Sequence, residues 1–202
     1  MSLEQKNKPH MLLHCCCAPC ASSVLETLLP DYRITLLFYN PNIEPLAEYD
    51  KRKTEVFRLV EKITADKQVM DSLHLPFAVD ILAAEYDNDI FETTVSSLRD
   101  EPEGGERCRV CFELRFKKTA QKAKAGEYDI FATTLSVSPH KDVKIINEIG
   151  SRLSEEFSIG FLPSDFKTND GFKRSVELSK RYGLYRQGYC GCSVNSVATK
   201  RN

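Results

Sequence analysis

The sequence has no apolar run long enough to cross a membrane. Its longer runs, such as Ile34 to Tyr39 and Ile159 to Leu162, fall far short of the roughly 20 residues that a spanning helix needs. The first residues, Met1 to Pro9, are polar and carry no apolar signal-peptide core. A cytoplasmic protein without membrane contact is therefore expected. A dominant charge is also missing: the net charge of -1 argues against a dedicated nucleic-acid coat protein. Internal repeats and linkers are absent, and 202 residues are too few for two full domains, so residues 1–202 read as one domain. Hydrophobic residues at 42% and charged residues at 28% give the balance of a globular protein with a packed core.

What the sequence has in excess is cysteine. Eight occur in three dense groups: His14-Cys15-Cys16-Cys17-Ala18-Pro19-Cys20, Cys108-Arg109-Val110-Cys111 and Cys190-Gly191-Cys192. Cytosolic thiols are kept reduced, which favours metal ligands or redox groups over structural staples. Buried small hydrophobes are the bland alternative, but such clustering argues against it. Two C-x-x-C pairs also suit a structural zinc site, and spacing alone does not separate zinc from a [4Fe-4S] cluster. The excess of thiols over the four such a zinc site uses tilts the balance toward a redox centre. A disulfide closed between Cys190 and Cys192 would form a small strained ring with a raised reduction potential, as suits a labile redox pair.

The remaining pattern alternates strands and helices. Strands are expected at His10 to Leu13, Arg33 to Tyr39, Phe77 to Leu82 and Tyr128 to Thr134. Helices are expected at Ser22 to Leu29, Glu48 to Lys67, Asp89 to Leu98 and Cys111 to Ala125, then from Pro139 through Leu153, and at Gly171 to Tyr182. This order predicts an α/β fold, a parallel sheet covered by helices on both faces. Ligand sites in such sheets lie beyond the carboxyl ends of the strands, where the first cysteine group falls. A helix N-terminus there lowers thiol pKa and favours the metal-binding thiolate.

Charge is unevenly spread. Glu61 to Glu103 holds eleven acidic and three basic residues, Glu106 to Lys144 five and nine, and Asp165 to Asn202 three and eight. Both basic stretches carry cysteine motifs, which suits a phosphate-bearing substrate, although solvated helix faces would give the same pattern. His14, Asp165, His140 and Lys141 are the candidates for proton transfer or further ligation. His140 could equally start a helix, and Asp165 could cap a turn. Tyr39-Asn40-Pro41-Asn42-Ile43 brings polar amides to the same sheet edge, or simply forms a turn.

Taken together, the motifs resemble those of the QueH-type epoxyqueuosine reductases. The resemblance runs from about His10 to Cys192, through Cys16-Cys17-Ala18-Pro19-Cys20, Tyr39-Asn40-Pro41-Asn42-Ile43, Gly105-Glu106-Arg107-Cys108 with Cys111, Thr133-Thr134-Leu135, Ser138-Pro139-His140-Lys141, and Tyr185-Arg186-Gln187 with Tyr189-Cys190-Gly191-Cys192. It implies a Rossmann-like, adenine-nucleotide hydrolase-like fold and a cobalamin-independent [4Fe-4S] oxidoreductase that completes queuosine in a tRNA anticodon loop. It further implies Cys16, Cys17, Cys108 and Cys111 as cluster ligands, and Cys190 with Cys192 as a redox-active pair. A separate mononuclear iron ion, with ligands from Cys20, Cys190, Cys192 or Asp165, would compete with that pairing. Asp165, His14 or Tyr189 are the expected proton donors. Arg107, Arg109, Lys141, Lys173, Arg174 and Arg186 are the expected tRNA contacts, and a ferredoxin or flavodoxin the expected electron donor. Two departures from the pattern are Cys15, a third consecutive cysteine, and Thr168, where a second lysine is expected. The rival readings are a zinc-stabilised nucleic-acid-binding module and a metal-free thiol-disulfide oxidoreductase.

Overall fold

A computed structural model of the chain describes residues 8–67 and 79–192. The elements run β1 (His10–His14), α1 (Ala18–Leu28), β2 (Arg33–Phe38), α2 (Leu46–Ala65), β3 (Asp80–Ala83), α3 (Asn88–Thr94), α4 (Glu106–Ala125), β4 (Ile130–Thr133), α5 (Val143–Phe157), β5 (Gly160–Phe161) and α6 (Gly171–Tyr182). Short 3-10 turns at Ser96–Leu98 and Leu135–Val137 follow α3 and β4. The five strands form one sheet in the order β3-β2-β1-β4-β5, every neighbouring pair parallel. This is the parallel α/β sheet that the strand and helix alternation predicts, in the Rossmann-like arrangement that the family resemblance implies.

Side-chain alternation along β1 builds the two layers. Met11, Leu13 and Cys15 face a core shared with α1, α2 and α6, whereas Leu12 faces a second core shared with α4 and α5. The central strands are buried along nearly their whole length, as strands covered on both faces must be. Among the described residues, no helix is long and apolar enough to cross a membrane.

Several boundaries differ from the sequence expectation. Helix α1 begins at Ala18 rather than Ser22, because Pro19 sits in its first turn, where a missing N–H costs nothing. Helix α4 begins at Glu106 rather than Cys111, with Gly105 as its N-cap, so the C-x-x-C lies inside the helix and not ahead of it. The expected helix over residues 89–98 ends as a helix at Thr94 and finishes in a 3-10 turn. Strand β5 has no counterpart among the expected elements, since two residues give no periodicity to read. Of the third expected strand, Phe77 and Ala78 lie outside the described residues, and the described strand extends to Ala83.

Candidate metal and active site

The strand order reverses direction between β1 and β4, and a crevice opens at the carboxyl ends of such a pair. His14 ends β1 and pairs with Thr133 at the end of β4. Residues 15–17 leave β1 there and enter α1, with Cys17 as N-cap. The sulfurs of Cys16, Cys17 and Cys20 lie within 4.8 Å of one another. Cys16 Sγ is 3.8 Å from Cys17 Sγ and 3.4 Å from Thr134 Oγ1. Hydrogen bonds from Cys17 and Cys20, with help from Thr134, hold the Cys16 thiol well below its ordinary range against the opposing effect of burial. The same sharing pushes Cys17 up to about 12 and Cys20 well above its usual value. Hydrogen bonding within the trio thus favours loss of the proton at Cys16 over Cys17 and Cys20.

A cavity of about 410 Å³ opens beside this trio, and all three cysteine groups reach it: Cys16 and Cys20, Cys108 and Cys111, and Cys190 and Cys192 all line its wall. Cys108 and Cys111 come from the first turns of α4, where a three-residue spacing sets both on one face. Cys111 packs with Cys190 and Cys192 against Phe91 and Val95. Burial raises the Cys111 thiol, an effect partly offset by the Arg115 guanidinium. Cys15 and Cys17 do not line it. Cys17 is buried, with its sulfur within reach of those of Cys16 and Cys20. Cys15 is fully buried among the apolar side chains of β1, β2 and α1, on the sheet face away from α4.

Two buried arginines, neither singled out by the sequence, brace these segments. Arg52 of α2 is paired through Nε with Glu48 at 2.7 Å, and its two terminal nitrogens donate to the carbonyls of Cys190 at 3.1 Å and Tyr189 at 3.3 Å. The Glu44 amide donates to the Gly191 carbonyl at 2.8 Å. Gly191 has φ +113°, and a Cβ there would meet Ile43 Cγ1 at 2.7 Å, so this position accepts no side chain. Arg115 of α4 donates to the Cys111 carbonyl and, at 3.4 Å, to Asn40 Oδ1, while Asn40 Nδ2 donates to the Cys15 carbonyl at 2.9 Å. Asn40 of the Asn-Pro motif therefore ties the first cysteine loop to the second cysteine helix. The signal for both arginines is faint in sequence: each is a cation at a position of its helix where the spacing demands a buried residue.

The candidate proton donors divide. His14 is fully buried and does not line the cavity; its Nε2–H donates to the Tyr39 carbonyl at 3.1 Å, and Nδ1 accepts from Thr133 Oγ1 at 3.0 Å. Burial, reinforced by Arg115, lowers its pKa to about 4, so the ring is neutral. Asp165 also lies off the cavity wall. Its carboxylate accepts from the Lys167 amide and its carbonyl from Thr168, which closes the turn leading into α6. Lys141, His140 and Tyr189 do line the cavity. The Lys141 ammonium is paired with Glu103 at 3.1 Å. Burial works against its charge, but Cys190, Glu103 and Cys108 outweigh burial and raise its pKa. Tyr189 Oη donates to the Glu44 carbonyl at 2.6 Å.

The expected tRNA contacts divide in the same way. Arg107, Lys141 and Arg186 line the cavity. Arg107 is buried and donates to the carbonyls of Arg99 and Glu101, so it holds the loop ahead of α4. Arg186 is exposed at the rim. Off the wall, Arg109 pairs with Glu148, Arg174 grips Glu26 through two nitrogens, and Lys173 is exposed on α6.

The donors are soft sulfurs from several elements on one wall, with a helix N-terminus beside the first group, and such a set fits a thiolate-bound metal centre. Fold and site together define a parallel α/β protein of Rossmann type with a thiol-lined cavity at the sheet's switch point, beside three cysteines whose sulfurs could hold a metal ion. Residues 11–197 match the family model described as Epoxyqueuosine reductase QueH. An epoxyqueuosine reductase QueH of Streptococcus pyogenes serotype M1 is 42% identical over 189 residues, which cover 94% of this chain and 71% of that protein. One from Staphylococcus epidermidis is 38% identical over 92% of this chain and 75% of its own length. One from Thermotoga maritima is 33% identical over 95% of this chain and 92% of its own. The chain belongs to the QueH family of epoxyqueuosine reductases.

Proposed function

We propose that this chain reduces epoxyqueuosine to queuosine within the anticodon loop of tRNA, in the cytoplasm, using a [4Fe-4S] cluster bound by Cys16, Cys17, Cys108 and Cys111. The observation that carries the reading is the meeting of three cysteine groups, far apart in sequence, on the wall of one cavity. Converting the epoxide to an alkene breaks two C–O bonds and releases the oxygen as water, at a cost of two electrons and two protons. A bound cluster supplies single electrons, delivered by a low-potential donor such as ferredoxin or flavodoxin. The second redox element is the Cys190 and Cys192 pair, which Arg52 holds through its backbone so that both side chains line the cavity. A separate iron ion with Cys20, Cys190 and Cys192 among its ligands would use the same thiols and is distinguished by iron content. Lys141 Nζ, held on the wall by Glu103, is placed to give a proton to the departing oxygen. His14 and Asp165 act behind the wall, His14 fixing the end of β1 and Asp165 the turn before α6.

The cavity size falls in the range that takes one small organic group, as needed if a single unstacked nucleotide enters it from an anticodon loop.

The test is anaerobic purification with iron and sulfide analysis, followed by incubation with epoxyqueuosine-containing tRNA and a chemical reductant, with queuosine read by mass. The expected result is iron and sulfide at a ratio of at least one [4Fe-4S] cluster per chain, and conversion that Cys108→Ala abolishes along with the cluster. Iron beyond that ratio, with sulfide unchanged, would assign the extra thiols to a separate ion. A zinc-loaded, iron-free protein that still bound tRNA would overturn the reductase reading.

A further inference from the structure

Five large apolar side chains are exposed among the described residues: Leu46, Phe57, Leu82, Ile90 and Phe172. Isolated exposed hydrophobics are ordinary. Phe172 differs from the other four because it lines the thiol-bearing cavity, although 38% of its surface remains in solvent. It also differs in its support. The Arg186 guanidinium stands 5.7 Å from the ring centroid. Arg186 is fixed there by hydrogen bonds to the Ser175 carbonyl and to Ser179 Oγ, both on α6, the helix that carries Phe172.

The helix start that carries the ring is held as well. Phe172 is the second residue of α6, and Gly171 before it packs so tightly on the Phe166 carbonyl that no Cβ fits. The Asp165 turn sets that approach through the Thr168 carbonyl, which accepts from the Gly171 amide. The rim thus carries an aromatic ring backed by a tethered cation, on the side of the cavity where α6 begins.

We infer that Phe172 and Arg186 form a stacking platform for a nucleobase at the mouth of the cavity. An exposed aromatic ring offers a π face to any base, and a neighbouring guanidinium adds cation–π attraction and charge for the flanking phosphate. The platform holds a base of the anticodon loop while the modified group reaches the thiol wall. It affects substrate binding and not the chemical step.

The inference rests on the reductase reading and is tested within it, using the iron-loaded full chain and epoxyqueuosine-containing tRNA. Phe172→Ala is expected to raise KM and Kd for the tRNA about tenfold, with kcat within about twofold of the unsubstituted protein and iron and sulfide content unchanged. Phe172→Trp should bind at least as tightly as the unsubstituted chain, and Phe172→Leu, similarly apolar without a π face, should fall near Phe172→Ala. Arg186→Gln should weaken binding and flatten its salt dependence. If Phe172→Leu and Phe172→Ala both bind tRNA as the unsubstituted chain does, the platform is overturned while the reductase reading stands. If Phe172→Ala loses its iron, the comparison of Leu with Trp decides the matter alone: equal affinities overturn the platform. Failure of the unsubstituted chain to reduce the tRNA would instead count against the function itself.

Discussion

Cys15, Cys16 and Cys17 are neighbours in sequence but have three different surroundings. Cys15 continues the inward alternation of Met11 and Leu13 and ends among apolar side chains, where burial raises its thiol well above the usual range. Cys16 faces Thr134 at the switch point, and Cys17 occupies the N-cap position of α1 with its sulfur beside that of Cys16. A side chain in the core behaves as a small hydrophobe. Cys15→Ala is therefore expected to leave iron and sulfide content unchanged and to cost about 1 kcal/mol of stability. Metal analysis beside urea unfolding checks this, and loss of iron from the variant would return Cys15 to the metal site. Arg52 and Arg115 make the same point for charge: each is buried at one helix position, and each gives part of its donor set to backbone carbonyls at or beside the thiols.

Helix–sheet packing sets where these residues meet. Helices α4 and α5 cover one face of the sheet, and α5 approaches β5 so closely at Gly150 that an added Cβ would stand 2.1 Å from Phe161 Cζ. Glycine is needed there for space, not for backbone freedom. Gly150→Ala should force Phe161 from its place beside Phe131 and cost about 1–3 kcal/mol, read as a lowered unfolding midpoint. Unchanged stability would mean that the ring moves aside freely. Element starts were harder to read from the sequence than element identity. The start of α4 is hidden in a charged, glycine-containing loop, and only its tertiary packing reveals that Cys108 lies inside the helix. Strand β5 was not legible because it owes its existence to pairing with β4 and not to a local pattern.

Across the whole molecule, tyrosines with buried rings tie the first half of the chain together and to α6. The Tyr49 ring packs at a tilt against both Phe38 and Tyr86, and Tyr182 reaches Asp66 at 3.1 Å. Burial first, and then nearby carboxylates, pushes both phenols from 10 up to about 12. A raised folded-state pKa stabilises the fold fully below the unfolded value near 10, and the contribution is lost as pH rises through about 12. The fold should therefore lose stability between pH 10 and 12, with phenolate absorbance rising together with unfolding. Tyr49→Phe should weaken that pH dependence. Phenolate absorbance that completes near pH 10 in the folded protein would contradict it.

The sequence by itself determined the alternation of strands and helices, the thiol-rich chemistry and the family, because hydrophobic period and motif spacing are local properties of the chain. The tertiary structure alone decided which thiols share a wall and which one, Cys15, faces the core. It also decided that Arg52 grips Cys190 across 138 positions, and that Phe172 stands at the rim. Those outcomes depend on strand order and on helix packing between segments far apart in the chain. A local pattern can bury a residue, but it does not specify what that residue will be buried against.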